Sequence, residues 1–315
     1  MTAPEIEVAI ERWPVAGSFT IARGAKTHVD VVVVTLNDGT HVGRGEATPI
    51  YYHGESAESV AEQVRRGDAL GRGAARNALD CARWDLEAKR TGVPVWTRAG
   101  LSAPRPLTTA YTISLGEPAR MKADAAAAAA TYPLLKLKLA GEGDLARVAA
   151  VRAGAPGCRL IVDANEAWTG RDVAAEAAAL LPYGVELIEQ PVRAGEDHLL
   201  DGVISPIPLC ADESCQDRGD LARCVGRYQA INIKLDKAGG LTESLALAQE
   251  ARAAGLDLMV GCMLSTSLGI APAILVAQQA RWVDLDGPLL LARDREPCVR
   301  FAGSTIHPAE SELWG

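Results

Sequence analysis

Short apolar runs alternate with Ala- and Leu-rich stretches along most of the chain, and the alternation predicts the fold. The runs are Thr108–Ser114, Leu134–Leu139, Leu160–Ala164, Val185–Glu189, Leu209–Asp212, Ala230–Leu235, Leu256–Cys262 and Trp282–Asp286. Each has the length of a strand. Between them lie stretches with helical spacing, such as Thr242–Ala254, often opened by Gly, Asp or Ser. The Ala-rich run Ala123–Ala130 reads as one of these helices, because Ala is the best helix former. Eight strands alternating with helices over about 180 residues predict an α/β fold of the TIM-like (β/α)-barrel type, over residues 106–292.

Residues 1–105 follow a different pattern. The run Val31–Leu36 ends in Asn37-Asp38-Gly39, which predicts a hairpin. Downstream, Leu79, Ala82, Leu86 and Ala88 recur near helical spacing and predict a helix over Gly73–Lys89. This half is expected to be a small α+β domain. At 315 residues the chain exceeds one core of ordinary size.

Hydrophobic residues make up 48 % and charged residues 23 %, which excludes disorder. The net charge of −8 argues against nucleic acid as a partner, since phosphate backbones require a concentrated basic surface. No apolar run is long enough to span a membrane. The start Met1-Thr-Ala-Pro-Glu-Ile-Glu carries acid where a signal peptide carries base. Seven scattered Cys without a C-x-x-C pair fit a reduced cytoplasm, acting as small core residues. A homo-oligomer is compatible with the sequence but not dictated by it.

The C-terminal ends of the strands hold the candidate chemistry, as is usual in such barrels. Strand two carries Lys136 and Lys138, strand three Asp163, strand four Glu189, strand five Asp212, strand six Lys234, and strand eight Asp284 and Asp286. From Lys138 to Lys234 the steps are 25, 26, 23 and 22 residues, one βα unit each. A lone Asp after a strand is ordinarily a helix cap or turn residue. Lysines on strands covered from both sides are costly without carboxylate partners, so the set in register points to a site.

Asp163, Glu189 and Asp212 offer only hard oxygen ligands, which suits Mg²⁺ and disfavours structural Zn²⁺. The five His, at 28, 41, 53, 198 and 307, fall away from the strand ends. Strands two and six lie across the barrel from each other, so Lys138 and Lys234 would face opposite sides of a substrate. A lysine base needs its pKa lowered toward about 7–8, and burial near a metal and Lys136 is expected to act in that direction. The metal would stabilise the enediolate left by proton removal.

At these residues the sequence resembles the enolase superfamily, in its muconate-lactonizing subgroup, over nearly the whole chain. The likeness rests on Gly45-Glu-Ala-Thr-Pro, the segment Ala75–Lys89, Lys-x-Lys, Asp-Ala-Asn, Glu-Gln-Pro, Ala-Asp-Glu-Ser and Asn-Ile-Lys-Leu. A Lys or His base with Mg²⁺ is general to that superfamily, and the Lys on strand six is unlike the His–Asp pair of its mandelate racemase subgroup. The resemblance implies an N-terminal capping domain over 1–105 and a C-terminal tail over 293–315 that returns to it. It also implies Lys138 and Lys234 as paired bases, Lys136 as the lysine assisting at the carboxylate, and Asp163, Glu189 and Asp212 as metal ligands.

Asp284-x-Asp286 resembles the motif with which dipeptide epimerases take a substrate α-ammonium, and two carboxylates two residues apart face one side of a strand. Together with Gly261-Cys-Met-Leu-Ser-Thr-Ser it resembles the L-Ala-D/L-Glu epimerases in particular. The resemblance implies a small dipeptide substrate. Ser265 stands where many relatives carry an acid. Arg23 lies in the capping-domain loop that usually contacts the far end of the substrate, and its guanidinium could pair with a carboxylate there. Thr112, near the end of strand one, is a candidate for holding the dipeptide backbone. The rivals are o-succinylbenzoate synthase, N-acylamino acid racemase and muconate cycloisomerase, whose substrates carry no free α-ammonium. A non-catalytic metal-binding barrel would need neither opposed lysine. Gly141-Glu-Gly143 and Gly239-Gly240 read as ordinary turns.

Overall fold

The computed structural model describes residues 3–21, 24–67 and 70–315. Its centre is the expected eight-stranded parallel sheet, in strand order one to eight without crossovers. The strands are Tyr111–Ile113, Leu134–Lys138, Arg159–Asp163, Val185–Glu189, Leu209–Ala211, Ala230–Ile233, Asp257–Gly261 and Trp282–Asp284. The Ala110 amide donates to the Val283 carbonyl at 2.8 Å and brings the first strand against the eighth. The Ala-rich run lies in the helix Pro118–Ala129, and the helix expected over Thr242–Ala254 spans Leu241–Ala253.

Strand one is shorter than its apolar run. Leu107–Thr108 leaves the barrel and pairs antiparallel with Thr305–Ile306 of a C-terminal hairpin. Thr109 sits at the break, its amide donating to the Ser304 carbonyl and its hydroxyl accepting from the Leu285 amide.

Period-two alternation sorts the inward-facing residues into layers. Ala110, Leu134, Ile161, Leu187, Cys210, Ala230, Met259 and Trp282 form one buried cluster, one residue from each strand or its edge, and close the floor of the barrel. Two residues further along, the same face carries Thr112, Lys136, Asp163, Glu189, Asp212, Asn232, Gly261 and Asp284. The barrel is therefore apolar below and polar above, and the change falls where the chemistry was expected.

The N-terminal part is a three-stranded antiparallel sheet, Glu5–Ile21, Gly24–Asn37 and Val42–Ala47, backed by the helices Ala57–Arg66 and Ala74–Thr91. Asn37 opposes Val42 across the predicted turn. The end of the chain reaches this part: the Trp314 indole donates to the Cys81 carbonyl at 3.0 Å and the Gly315 amide to Asp85 at 2.8 Å. Five of the seven Cys are buried and all are free, whereas Cys298 is exposed. Among the described residues no helix is long and apolar enough to cross a membrane.

Candidate active site

Buried lysines and carboxylates pair with one another at the barrel mouth. Lys136, 1 % exposed, places Nζ 2.6 Å from Glu189 Oε2, 2.8 Å from Asp284 Oδ2 and 3.5 Å from Asp163 Oδ2. Lys138 Nζ lies 2.6 Å from Asp163 Oδ2, across a register pair of strands two and three. Lys234 Nζ lies 2.6 Å from Asp212 Oδ2. Each buried charge thus has an opposite partner, without which its desolvation would be prohibitive.

Two members were missed by sequence reasoning. Asn232 donates through Nδ2 to Glu189 Oε1 at 2.7 Å. Gly261 gives it room, because a Cβ there would meet Asn232 Oδ1 at 2.7 Å. Lys237 is fully buried, with Nζ 2.5 Å from Asp212 Oδ1, 2.6 Å from the Asp212 carbonyl and 3.0 Å from those of Cys215 and Asn232. Its signal was a lysine closing Lys234-Leu-Asp-Lys237 just before Gly239-Gly240. Those glycines are turn residues, with φ of 96° and 108°, and they also admit the helix Ala74–Thr91, because a Cβ would strike Arg76 and Asp80.

Carboxylates dominate the electrostatics of the buried lysines. Burial does pull the Lys234 pKa down, but Asp212 and Glu189 outweigh it and hold the pKa well above the ordinary value. Lys136 behaves alike, its burial overcome by Asp284, Glu189 and Asp163. The lowering expected for the two lysines was tied to a metal beside them, and here the carboxylates face the ammonium groups instead. Asp212 lies well below the carboxylate range, burial being overcome by Lys234 and Lys237. Glu189 is pushed up to about 7, by burial and then by Asp163, with Lys136 opposing.

Among the described residues, no three His, Cys, Asp or Glu side chains form a ready-made metal cage as placed here. Lysine ammonium groups stand among Asp163, Glu189 and Asp212 instead. The donor set nonetheless fits a hard divalent cation. It offers three buried carboxylates from adjacent strands, all of them hard oxygen donors. Glu189 Oε2 meets Lys136 without a well-aligned hydrogen bond.

Above this layer lies a cavity of about 310 Å³, within the range of small-molecule sites. Lys136, Lys138, Asp212, Lys234, Asp284, Asp286 and Thr112 line it from the barrel, and Lys26, Thr48, Tyr51 and Tyr52 from the N-terminal part. Asp163 and Glu189 lie beneath it. The Thr112 amide donates to Asp286 Oδ2 at 2.7 Å, so the backbone of this residue is engaged as well as its side chain. Burial, then Asp284, pushes Asp286 up to about 7. Asp284 Oδ1 is buried without a hydrogen-bond partner.

The loop after strand seven contributes Cys262, Met263 and Leu264, while Ser265 turns its hydroxyl to the Met263 carbonyl at 3.2 Å. No His lines the cavity among the described residues. Arg23 lies outside the described residues.

The enolase C-terminal domain-like model matches residues 119–287, and the N-terminal domain of mandelate racemase / muconate lactonizing enzyme matches residues 54–100. The L-Ala-D/L-Glu epimerase of Escherichia coli is 43 % identical over 96 % of this chain and 99 % of its own. The N-acetyl-D-glutamate racemase of a Pseudoalteromonas species is 43 % identical over 90 % and 95 %. An enolase family member from Agrobacterium tumefaciens, solved with sodium and L-Ala-L-Glu, superposes with a TM-score of 0.94 at 48 % identity, over 99 % of this chain and 100 % of that one. A dipeptide epimerase from Enterococcus faecalis, solved with Mg and L-Leu-L-Tyr, gives a TM-score of 0.90 at 29 % identity, over 98 % of each chain. The chain belongs to the mandelate racemase / muconate lactonizing enzyme family of the enolase superfamily.

Proposed function

We propose that the protein is an isomerase, a dipeptide epimerase acting on L-Ala-D/L-Glu by two-base 1,1-proton transfer. One observation carries the reading: Lys138 and Lys234, from strands on opposite sides of the barrel, line one cavity with the Asp284–Asp286 pair. The similarity to the Escherichia coli epimerase supports it.

In this reading Asp284 and Asp286 take the α-ammonium, and the partnerless Asp284 Oδ1 is an acceptor for it. Thr112 borders the dipeptide backbone, Lys136 the carboxylate of the second residue, and Arg23 its side chain. The Cα–H bond of the second residue breaks toward one lysine amine on one face. The electron pair passes into the enediolate form of the carboxylate. The opposite ammonium then gives up its proton as a new C–H bond forms on the other face, which inverts the centre with no net gain or loss.

Asp163, Glu189 and Asp212 would hold Mg²⁺. When bound, that ion supplies positive charge against the negative charge developing at the carboxylate. For this function we divide the chain into a cap (1–105), the barrel (106–292) and a returning tail (293–315).

The test uses purified protein, Mg²⁺ and L-Ala-L-Glu in D₂O, with proton NMR following loss of the α-proton signal and growth of the L,D epimer. The expected result is exchange that EDTA abolishes. Lys138→Ala and Lys234→Ala should each stop epimerisation, and one of them should still exchange the α-proton of a single epimer. Normal epimerisation by both would sink the two-base scheme. The similarity to N-acetyl-D-glutamate racemase favours a second reading, racemisation of N-acyl amino acids. Faster turnover of N-acetyl-glutamate than of L-Ala-L-Glu would transfer the assignment to it.

A further inference from the structure

Outside barrel strand one lies a second cavity, of about 490 Å³. It is bounded by that strand, by the helix Pro118–Ala129 and by the first strand of the cap, and it shares Thr112 and Leu290 with the catalytic cavity. The two spaces therefore border on the same two residues. Thr112 faces the barrel interior, and by strand alternation Tyr111 faces the opposite way, toward the second cavity. There its ring stacks on Tyr132, with centroids 4.3 Å apart and planes 13° apart. Burial and then Asp286 push the Tyr132 phenol up, which places this wall within electrostatic reach of a carboxylate proposed to take the α-ammonium.

The contents of the wall restrict its occupant. Its charged residues, Arg120 and Asp124, pair with each other at 2.8 Å, so neither sign is left over for a charged ligand. The tyrosine stack offers aromatic surface. On the helix side the lining residues include Ala127 and Ala128, which project too little to fill the space.

We infer that this cavity is a subsite for the side chain of the first residue of the dipeptide, and that it takes uncharged side chains well beyond the methyl of alanine, aromatic ones included. The inference rests on the dipeptide reading. An α-ammonium held by Asp284 and Asp286 puts the first residue beside Thr112, at the border between the two spaces.

The experiment compares kcat/KM for L-Tyr-L-Glu and L-Ala-L-Glu by α-proton exchange, using the full chain with Mg²⁺. The wild type should turn over L-Tyr-L-Glu within about tenfold of L-Ala-L-Glu, a spread that pocket contacts of a few atoms can produce. Ala127, on the exposed face of its helix, can be enlarged without entering the core. Ala127→Trp should lower the Tyr-to-Ala ratio at least about tenfold. That ratio does not depend on the fraction of enzyme folded. A ratio unmoved by Ala127→Trp overturns the subsite, as does stronger wild-type discrimination against L-Tyr-L-Glu while L-Ala-L-Glu is epimerised. Absence of exchange with both dipeptides overturns the dipeptide reading itself, and the subsite with it.

Discussion

Asp236 shows how a single buried carboxyl can join the cap to the short helix that follows strand six. It sits two residues after Lys234, and its Oδ1 accepts from the Thr48 amide at 2.8 Å and from Asn77 Nδ2 at 3.0 Å, both in the cap. Burial nevertheless pushes it up to about 7, against those two hydrogen bonds. The unfolded chain ionises an Asp near 3.8, so the folded state holds the proton more tightly. The stabilisation from this group is complete below about 4 and is lost as pH rises through about 7. Asp236→Asn keeps an oxygen for both donors and removes the ionisation. The variant should be no more stable than the wild type near pH 4 and more stable than it at pH 8, the difference between the two pH values being on the order of 4 kcal/mol. Thermal unfolding at the two pH values decides, and a wild type that stays ahead at pH 8 refutes the argument.

At the scale of elements, the sequence was legible where burial on both faces leaves one solution. All eight barrel strands are short apolar runs, and six of them carry a charge at or near the C-terminal end, so all eight could be placed. The run at strand one was drawn too long, because Thr108 pairs with Thr305 of the C-terminal hairpin, a partner about 200 residues away that no local pattern reveals. Lys237 was hidden for a related reason. Its partners are carbonyls and a carboxylate drawn from the loop after strand five and from strand six, and only the folded barrel brings them together.

The contact between cap sheet and helix is more explicit. Gly43 and Gly45 share one face of the strand Val42–Ala47, and Ala78, Ala82 and Leu86 share one face of the helix Ala74–Thr91. A methyl on Gly45 would fall on the Ala78 carbonyl, and one on Gly43 on the Ala82 carbonyl, both backbone atoms that cannot step aside. Gly45→Ala should therefore cost at least about 2 kcal/mol by overpacking. Wild-type behaviour of this variant in urea unfolding would show that helix and sheet do not meet this closely.

Across the whole molecule, cap, barrel and tail converge on one buried cluster. Glu46 in the cap is 1 % exposed and accepts from the Thr266 amide of the strand-seven loop at 2.8 Å. Arg295 reaches it from the tail, with Nη2 2.6 Å from Glu46 Oε2 and 2.7 Å from Glu11 Oε2, and stacks over Trp13 with 5.1 Å to the ring centroid. Burial raises the Glu46 pKa and Arg295 opposes it, so the guanidinium is what makes an ionised carboxylate tolerable there. Removing one partner of such a pair leaves an uncompensated buried charge, at a cost of about 3–5 kcal/mol. The cost depends on pH in a definite direction. Without Arg295 the Glu46 pKa rises further, so at low pH the carboxyl folds as the neutral acid. As pH climbs past its unfolded value near 4.5, the folded state must either retain the proton or bury the charge alone, and stability falls. Arg295→Leu should therefore lose more stability, relative to the wild type, at pH 8 than at pH 5. Double substitution with Glu46→Gln should recover much of the difference at pH 8, because the glutamine keeps an acceptor for the Thr266 amide without carrying charge. Urea titrations of the two variants at both pH values test this. A penalty equal at pH 5 and pH 8 would mean that Arg295 acts through its packing on Trp13, with the charge of Glu46 of no consequence to how the cap is fastened.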